Sequence, residues 1–163
     1  MLYFKSTIGG DMSKTLIAYF SAGGNTAYTA RMLAQQMDAD IYSIKPVQKY
    51  TPADLDWQNP NSRSSVEMND PTSRPEIIDG EIDLSQYDTV CLGFPIWWYV
   101  APHAVNTFIE KNNFSGKKVI LFATSGGSEI TKALDTMRAQ YPRMNIVGGK
   151  MLNGKVEPGC LDF

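Results

Sequence analysis

Thr15-Leu16-Ile17-Ala18-Tyr19-Phe20-Ser21-Ala22-Gly23-Gly24-Asn25-Thr26 is the stretch on which the reading of this chain turns. An apolar run, Leu16 to Ala18, ends in a loop of small, hydroxylated and glycine residues. A helical pattern follows at once, with Ala27, Ala30, Leu33, Ala34 and Met37 on one face of a helix over about 25–37. A strand, a glycine-bearing loop and a helix start aim free backbone N–H groups and the positive end of the helix dipole at one spot. The stretch therefore nominates a phosphate-bearing ligand. It carries no Lys or Arg, so neutral donors and the dipole would hold the phosphate.

Outward from this point, strand and helix signals alternate. Strands are expected over 15–20, 40–47, 89–94, 118–123 and 145–151. Helices are expected over 25–37, over 101–112 (Val105, Phe108, Ile109) and from a Ser128 cap through the stripe Ile130, Ala133, Leu134, Met137 and Tyr141, ending at Pro142. The 89–94 run is apolar throughout, as parallel strands covered on both faces tend to be. The rhythm predicts an α/β protein with a doubly wound parallel sheet, in which ligands sit beyond the carboxyl ends of strands. Periodicity leaves the strand order open. Residues 48–85 break the rhythm with Pro, Asn, Ser and Asp. They read as a long surface excursion with a short turn at Ala53-Asp54-Leu55-Asp56-Trp57, and loops of this length are often functional.

The 163 residues suffice for one domain, read as 13–163 behind an N-terminal extension over 1–12. Apolar residues make up 43% and charged residues 20%, and no apolar run approaches the roughly 20 residues that span a bilayer. The first residues lack an apolar core of signal-peptide length, so the expected location is the cytoplasm. A net charge of −2 without a Lys/Arg cluster argues against a nucleic-acid surface. Cys91 and Cys160 form no disulfide framework or metal pattern and read as inert thiols.

Three strand ends carry distinctive loops, and in a parallel sheet these ends share one edge. The first offers hydroxyls at Ser21 and Thr26 and an amide at Asn25. The second, Pro95-Ile96-Trp97-Trp98-Tyr99 up to Pro102, is aromatic and suited to stacking on a planar ring. The third, Thr124-Ser125-Gly126-Gly127-Ser128, is small enough for backbone N–H groups to approach ring heteroatoms. Each alone could be an ordinary turn, packing or connection. In this order they describe a site for a phosphate joined to a flat heteroaromatic ring. Other phosphate and nucleophile motifs are missing: there is no G-x-G-x-x-G after the first strand, no Walker loop and no G-x-S-x-G elbow. His103 reads as a solvated first-turn residue. Glu67, Asp70, Glu76, Asp79, Glu81 and Asp83, among Arg63 and Arg74, read as a solvated face rather than a metal site.

On these three motifs the chain, over roughly 13–154, resembles the flavodoxin-like family, closest to the branch with Tyr-Phe-Ser…Gly-Asn-Thr, Pro-Ile-Trp-Trp-Tyr and Thr-Ser-Gly-Gly-Ser loops. The resemblance implies FMN and a five-stranded parallel sheet in the order 2-1-3-4-5. By matching position it assigns Ser21, Gly23, Gly24, Asn25 and Thr26 to the phosphate. Pro95, Ile96, Trp97, Trp98 and Tyr99 would line one side of the isoalloxazine. Thr124, Ser125, Gly126 and Gly127 would meet its other edge, with the Trp57 loop bordering the site.

The chain departs from the family pattern twice. Archetypal flavodoxins carry a glycine in the ring-side loop that lets a peptide flip and stabilise the one-electron-reduced flavin, but none lies between Pro95 and Pro102. This favours two-electron chemistry, fed by a nicotinamide donor or a reductase and delivered to a quinone-like or protein acceptor. The weak net charge points the same way. The alternatives are a one-electron carrier without a substrate site and a non-catalytic phosphate-ligand module. The sequence nominates no acid, base, nucleophile or metal ligand. Second, the family's C-terminal helix is missing, since Pro158-Gly159 breaks the short remainder. One sheet face beside the first helix is therefore expected to lie partly bare, for the N-terminal segment or a second copy of the chain to cover.

Overall fold

The computed structural model describes residues 14–125, 127–154 and 156–163. The expected extension over 1–12 and the loop residue Gly126 lie outside them. Five strands, β1 (Thr15–Tyr19), β2 (Asp40–Ser43), β3 (Thr89–Pro95), β4 (Lys118–Thr124) and β5 (Asn145–Met151), pair in parallel in the order β2-β1-β3-β4-β5. The helices are α1 (Asn25–Met37), α2 (Arg63–Asn69), α3 (His103–Glu110) and α4 (Thr131–Gln140). The doubly wound α/β sheet and its 2-1-3-4-5 order are those expected.

Strand alternation divides the core between the two faces. Leu16, Ala18, Val90, Leu92, Val119 and Leu121 point into a cluster with Ala104, Val105 and Phe108 of α3 and Ala133 and Met137 of α4. Ile17, Cys91, Ile120 and Phe122 point the other way, against Ala30 and Leu33 of α1. Cys91 is fully buried, and burial pushes its thiol up to about 12, as its reading as an inert packing group requires.

The bare-face expectation is overturned. The tail after β5 forms no helix among its described residues, yet Leu152, Val156 and Leu161 are buried against Ile17, Leu33, Ile120 and Phe122. Gln36 Nε2 donates to the Val156 carbonyl at 2.6 Å, and the Phe163 ring lies where a side chain on Gly148 would collide with it. An irregular tail does the work of a helix because contact with the sheet, rather than a repeating pattern, positions its apolar groups. The tail thus supplies burial that the sequence left to the N-terminal segment or a second copy.

The excursion also holds more structure than its composition announced. Ser62 caps α2, its hydroxyl accepting the Ser65 N–H at 3.3 Å. Arg63 Nε donates to Glu67 Oε2 at 2.9 Å, Tyr50 donates its hydroxyl to Glu67 Oε1 at 2.5 Å, and the Arg63 guanidinium lies 3.8 Å above the Tyr50 ring. Glu67 is therefore an anchored carboxylate and not part of a solvated face. The base of the excursion is closed by a bridge between Pro46 and Ile77. Among the described residues, no helix is long and apolar enough to cross a membrane.

Candidate functional site

The loops after β1, β3 and β4 meet at the carboxyl edge because the parallel register brings these three strands to one end. Phe20 N–H donates to Gly93 O at 2.9 Å, and Ile96 N–H donates to Thr124 O at 2.9 Å. In the first loop Gly24 occupies φ +100°, a conformation L side chains rarely adopt, and its N–H donates to Ser21 Oγ at 3.1 Å. This bend turns the chain straight into α1. No side chain caps α1, so its first-turn N–H groups face outward beside the positive end of the dipole. The Thr26 hydroxyl is buried and stands 2.8 Å from that of Thr124, which ties the first loop to the end of β4.

The β3 loop is a two-residue hairpin. Trp97 N–H donates to Val100 O at 2.9 Å, and Val100 N–H donates back to Trp97 O at 3.1 Å. Its two tip residues, Trp98 and Tyr99, sit at φ +50° and +73°. Positive φ at both central positions marks a type I′ turn, normally the province of Asn and Gly. The Trp97 side chain is wedged between Phe20 and Tyr50, edge-on to both at centroid distances of 5.6 and 5.4 Å. Trp98 and Tyr99 instead stand at the surface, 42% and 61% exposed, with Lys132 Nζ 5.9 Å above the Tyr99 ring. After β4, Ser125 Oγ accepts the N–H groups of Gly127 and Ser128 at 3.2 and 2.9 Å. The Ser125 N–H donates to Asn153 Oδ1 at 2.8 Å. Ser128 therefore belongs to this loop and caps no helix; α4 starts at Thr131 without a side-chain cap.

These loops enclose a cleft of about 970 Å³. Of the residues nominated from sequence, Ser21, Gly23, Asn25, Thr26, Pro95, Ile96, Trp97, Trp98, Tyr99, Thr124 and Ser125 line it. Gly24 and Gly127 shape the loops without lining the cleft, and Gly126 lies outside the described residues. Trp57 lines it together with Leu55, so the excursion does border the site. Sequence reasoning missed Tyr28 and Thr29 on α1, Ser64 on α2, and Asn153 and Gly154 after β5. Position in the first two turns of α1 could have flagged Tyr28 and Thr29; no local pattern marks the others.

The described lining residues contribute hydroxyls, amides and aromatic rings, with no carboxylate, imidazole, amine or guanidinium among them. Such a wall can bind and orient a ligand, and its described residues offer no strong acid or base. His103 lies elsewhere, and its reading as a solvated residue is corrected: it is buried at the head of α3, with Nδ1 2.6 Å from Ser73 Oγ. Burial pulls its pKa below the ordinary value, helped by the nearby Arg74 charge.

The flavodoxin family model matches residues 14–161. No curated protein matches the chain. A solved protein from Bacteroides uniformis, provisionally designated a flavoprotein, is 50% identical with a TM-score of 0.87, over 90% of this chain and 94% of that one. Its counterpart from Bacteroides eggerthii is 47% identical with a TM-score of 0.88, over 92% and 94%. A Lactobacillus acidophilus flavoprotein solved in complex with FMN shares the fold at 21% identity, with a TM-score of 0.71 over 85% and 93%.

Proposed function

The chain belongs to the flavodoxin family, and on that premise we propose that it holds FMN in the carboxyl-edge cleft and serves two-electron reduction of a quinone-like or protein acceptor. The electrons come from NAD(P)H or a reductase. The cofactor is FMN, whose isoalloxazine supplies the redox chemistry that no described lining side chain offers.

The chain's own residues bind, orient and constrain. Ser21, Gly23, Gly24, Asn25 and Thr26 receive the phosphate at the uncapped start of α1, where neutral N–H and O–H donors and the dipole act together. Pro95, Ile96, Trp97, Trp98 and Tyr99 flank the ring. The loop after β4, with Thr124, Ser125 and Gly127 and with Gly126 as the sequence assigns it, would meet its other edge. No described lining residue is given the part of acid, base or nucleophile.

The observation that carries the two-electron reading is the hairpin. Turning over its central peptide would convert the type I′ turn to type II′, whose first central position is a glycine position. Trp98 occupies that position. The hairpin therefore presents one backbone orientation to the ring and lacks the rearrangement that would favour a one-electron-reduced state.

Reconstitution tests the reading. The purified chain mixed with FMN is expected to bind it with one-to-one stoichiometry, quench its fluorescence and remain yellow through dialysis. Anaerobic NAD(P)H, alone or with a reductase, is expected to bleach it, and a quinone to restore the colour. Failure to bind FMN would remove the reading. Binding with no restoration by any quinone or protein acceptor would remove the acceptor class.

A further inference from the structure

Among the described residues, Ser64 Oγ is the only buried side-chain nitrogen or oxygen without a hydrogen-bond partner. The residue is 2% exposed and lines the cleft. Its neighbours are fully engaged: Ser62 Oγ donates to Ser65 Oγ at 2.9 Å, and Ser65 Oγ donates to Asn59 O at 2.8 Å. The Ser64 N–H is also satisfied, by Asp54 O at 3.0 Å. A serine deeper in a helix can bond back to the carbonyl four residues earlier. Ser64 is the second residue of α2, so no preceding helical turn lies within its reach. Burying a hydroxyl without a partner is costly, and such groups in a native fold call for an explanation.

The position of Ser64 supplies one. Residue 64 is held by the Tyr50–Arg63–Glu67 cluster, and Tyr50 itself packs edge-on against Phe20 at the end of β1 and against Trp97. The excursion thus presents its one buried unsatisfied hydroxyl to the same cleft that Ser21 and Thr26 line. A hydroxyl seeks an oxygen acceptor, whereas the aromatic hairpin suits a ring. Resting on the FMN reading above, we propose that Ser64 is a cofactor-binding residue whose hydroxyl donates to an oxygen of the ribityl-phosphate chain. The excursion is then a working wall of the site and not only its border.

Ser64→Ala tests this, using FMN and riboflavin as probes on the intact chain. The ligand-free variant is expected to melt no lower than the wild type, because the substitution deletes an unpaired group. Its FMN affinity is expected to fall about tenfold, or about 1.4 kcal/mol. Loss confined to FMN identifies a phosphate oxygen as the acceptor; equal loss for riboflavin identifies a ribityl hydroxyl. Unchanged affinity for both flavins in a wild type that binds them overturns the assignment and leaves the FMN reading intact. A lower melting temperature of the ligand-free variant also overturns it, since the hydroxyl would then have a partner within the protein. A wild type that binds neither flavin takes down both.

Discussion

Two turns at the carboxyl edge enter the left-handed backbone region by opposite means. After β1 the chain uses Gly24, at φ +100°, where the absence of a side chain makes the conformation cheap. After β3 it uses Trp98 and Tyr99, at +50° and +73°, where each residue costs of order 1–3 kcal/mol. The first turn needs only to bend the chain so that the start of α1 is left open. The second places two large rings beside the cleft and, on the proposed two-electron role, keeps its backbone still. Glycine would serve the bend but would also permit the peptide to turn over. The aromatic pair sacrifices stability for a fixed orientation, and the surroundings hold it: Trp97 is wedged between Phe20 and Tyr50, and two hydrogen bonds close the hairpin.

The comparison breaks most readily at the wedge. Trp97→Ala is expected to cost about 3 kcal/mol, the lower end for removing a large aromatic side chain from a packed site, because Trp97 is only partly buried. Urea denaturation of the ligand-free chain checks it, and a loss of a few tenths would mean the hairpin is held by something else. Gly24→Val should cost ~1–2 kcal/mol from left-handed strain alone. If the strain is relieved by rebuilding the loop, the loss should appear instead as FMN affinity lower by about 5–30-fold in fluorescence titration.

Trp98→Gly sharpens the contrast, because relief of strain and glycine's greater unfolded freedom, each about 1 kcal/mol, nearly cancel. Melting temperature should therefore barely move, while the released peptide should let a one-electron-reduced flavin accumulate.

The helix that follows the hairpin adds a pH signature. Burial holds His103 below its ordinary 6.5, so the folded chain binds that proton less readily than the unfolded one. The stability from neutral His103 is complete above about pH 6.5 and is lost as pH falls toward the lower folded value. Melting curves between pH 5 and 8 should show this decline, and His103→Gln should remove it. Smallest of all, Lys132→Ala should change stability by about 0.5 kcal/mol or less, as befits an exposed cation 5.9 Å from the Tyr99 ring.

What could be read from sequence follows from where the ordering forces act. The β1–loop–α1 unit was legible because an apolar run, a glycine pair and a 3.6-residue stripe are all local signals. Three converging loops followed from parallel topology, which the alternation of elements announces. Helix α2 was not legible: Arg-Ser-Ser-Val-Glu-Met-Asn shows no apolar stripe, and Tyr50, from outside the helix, helps to hold it. The burial of His103 depends on Ser73 in the excursion, 30 residues away in the chain. The tail's Leu152, Val156 and Leu161 follow no helical or strand period, yet they cover a sheet face. The type I′ hairpin ran against the preferences of its own residues, since Trp-Trp-Tyr-Val carries none of the glycine or asparagine that signals such a turn. The missing glycine was visible in the sequence, but the left-handed backbone already adopted by Trp98 and Tyr99 was not.

Stepwise anaerobic photoreduction of the FMN-loaded chain, followed by absorbance, tests the fixed hairpin most directly. The spectra should pass from oxidised to fully reduced flavin through common isosbestic points, with no long-wavelength species accumulating. A large, stable one-electron-reduced population in the wild-type chain would contradict the account, because the hairpin would then permit the rearrangement that Trp98 is held to forbid.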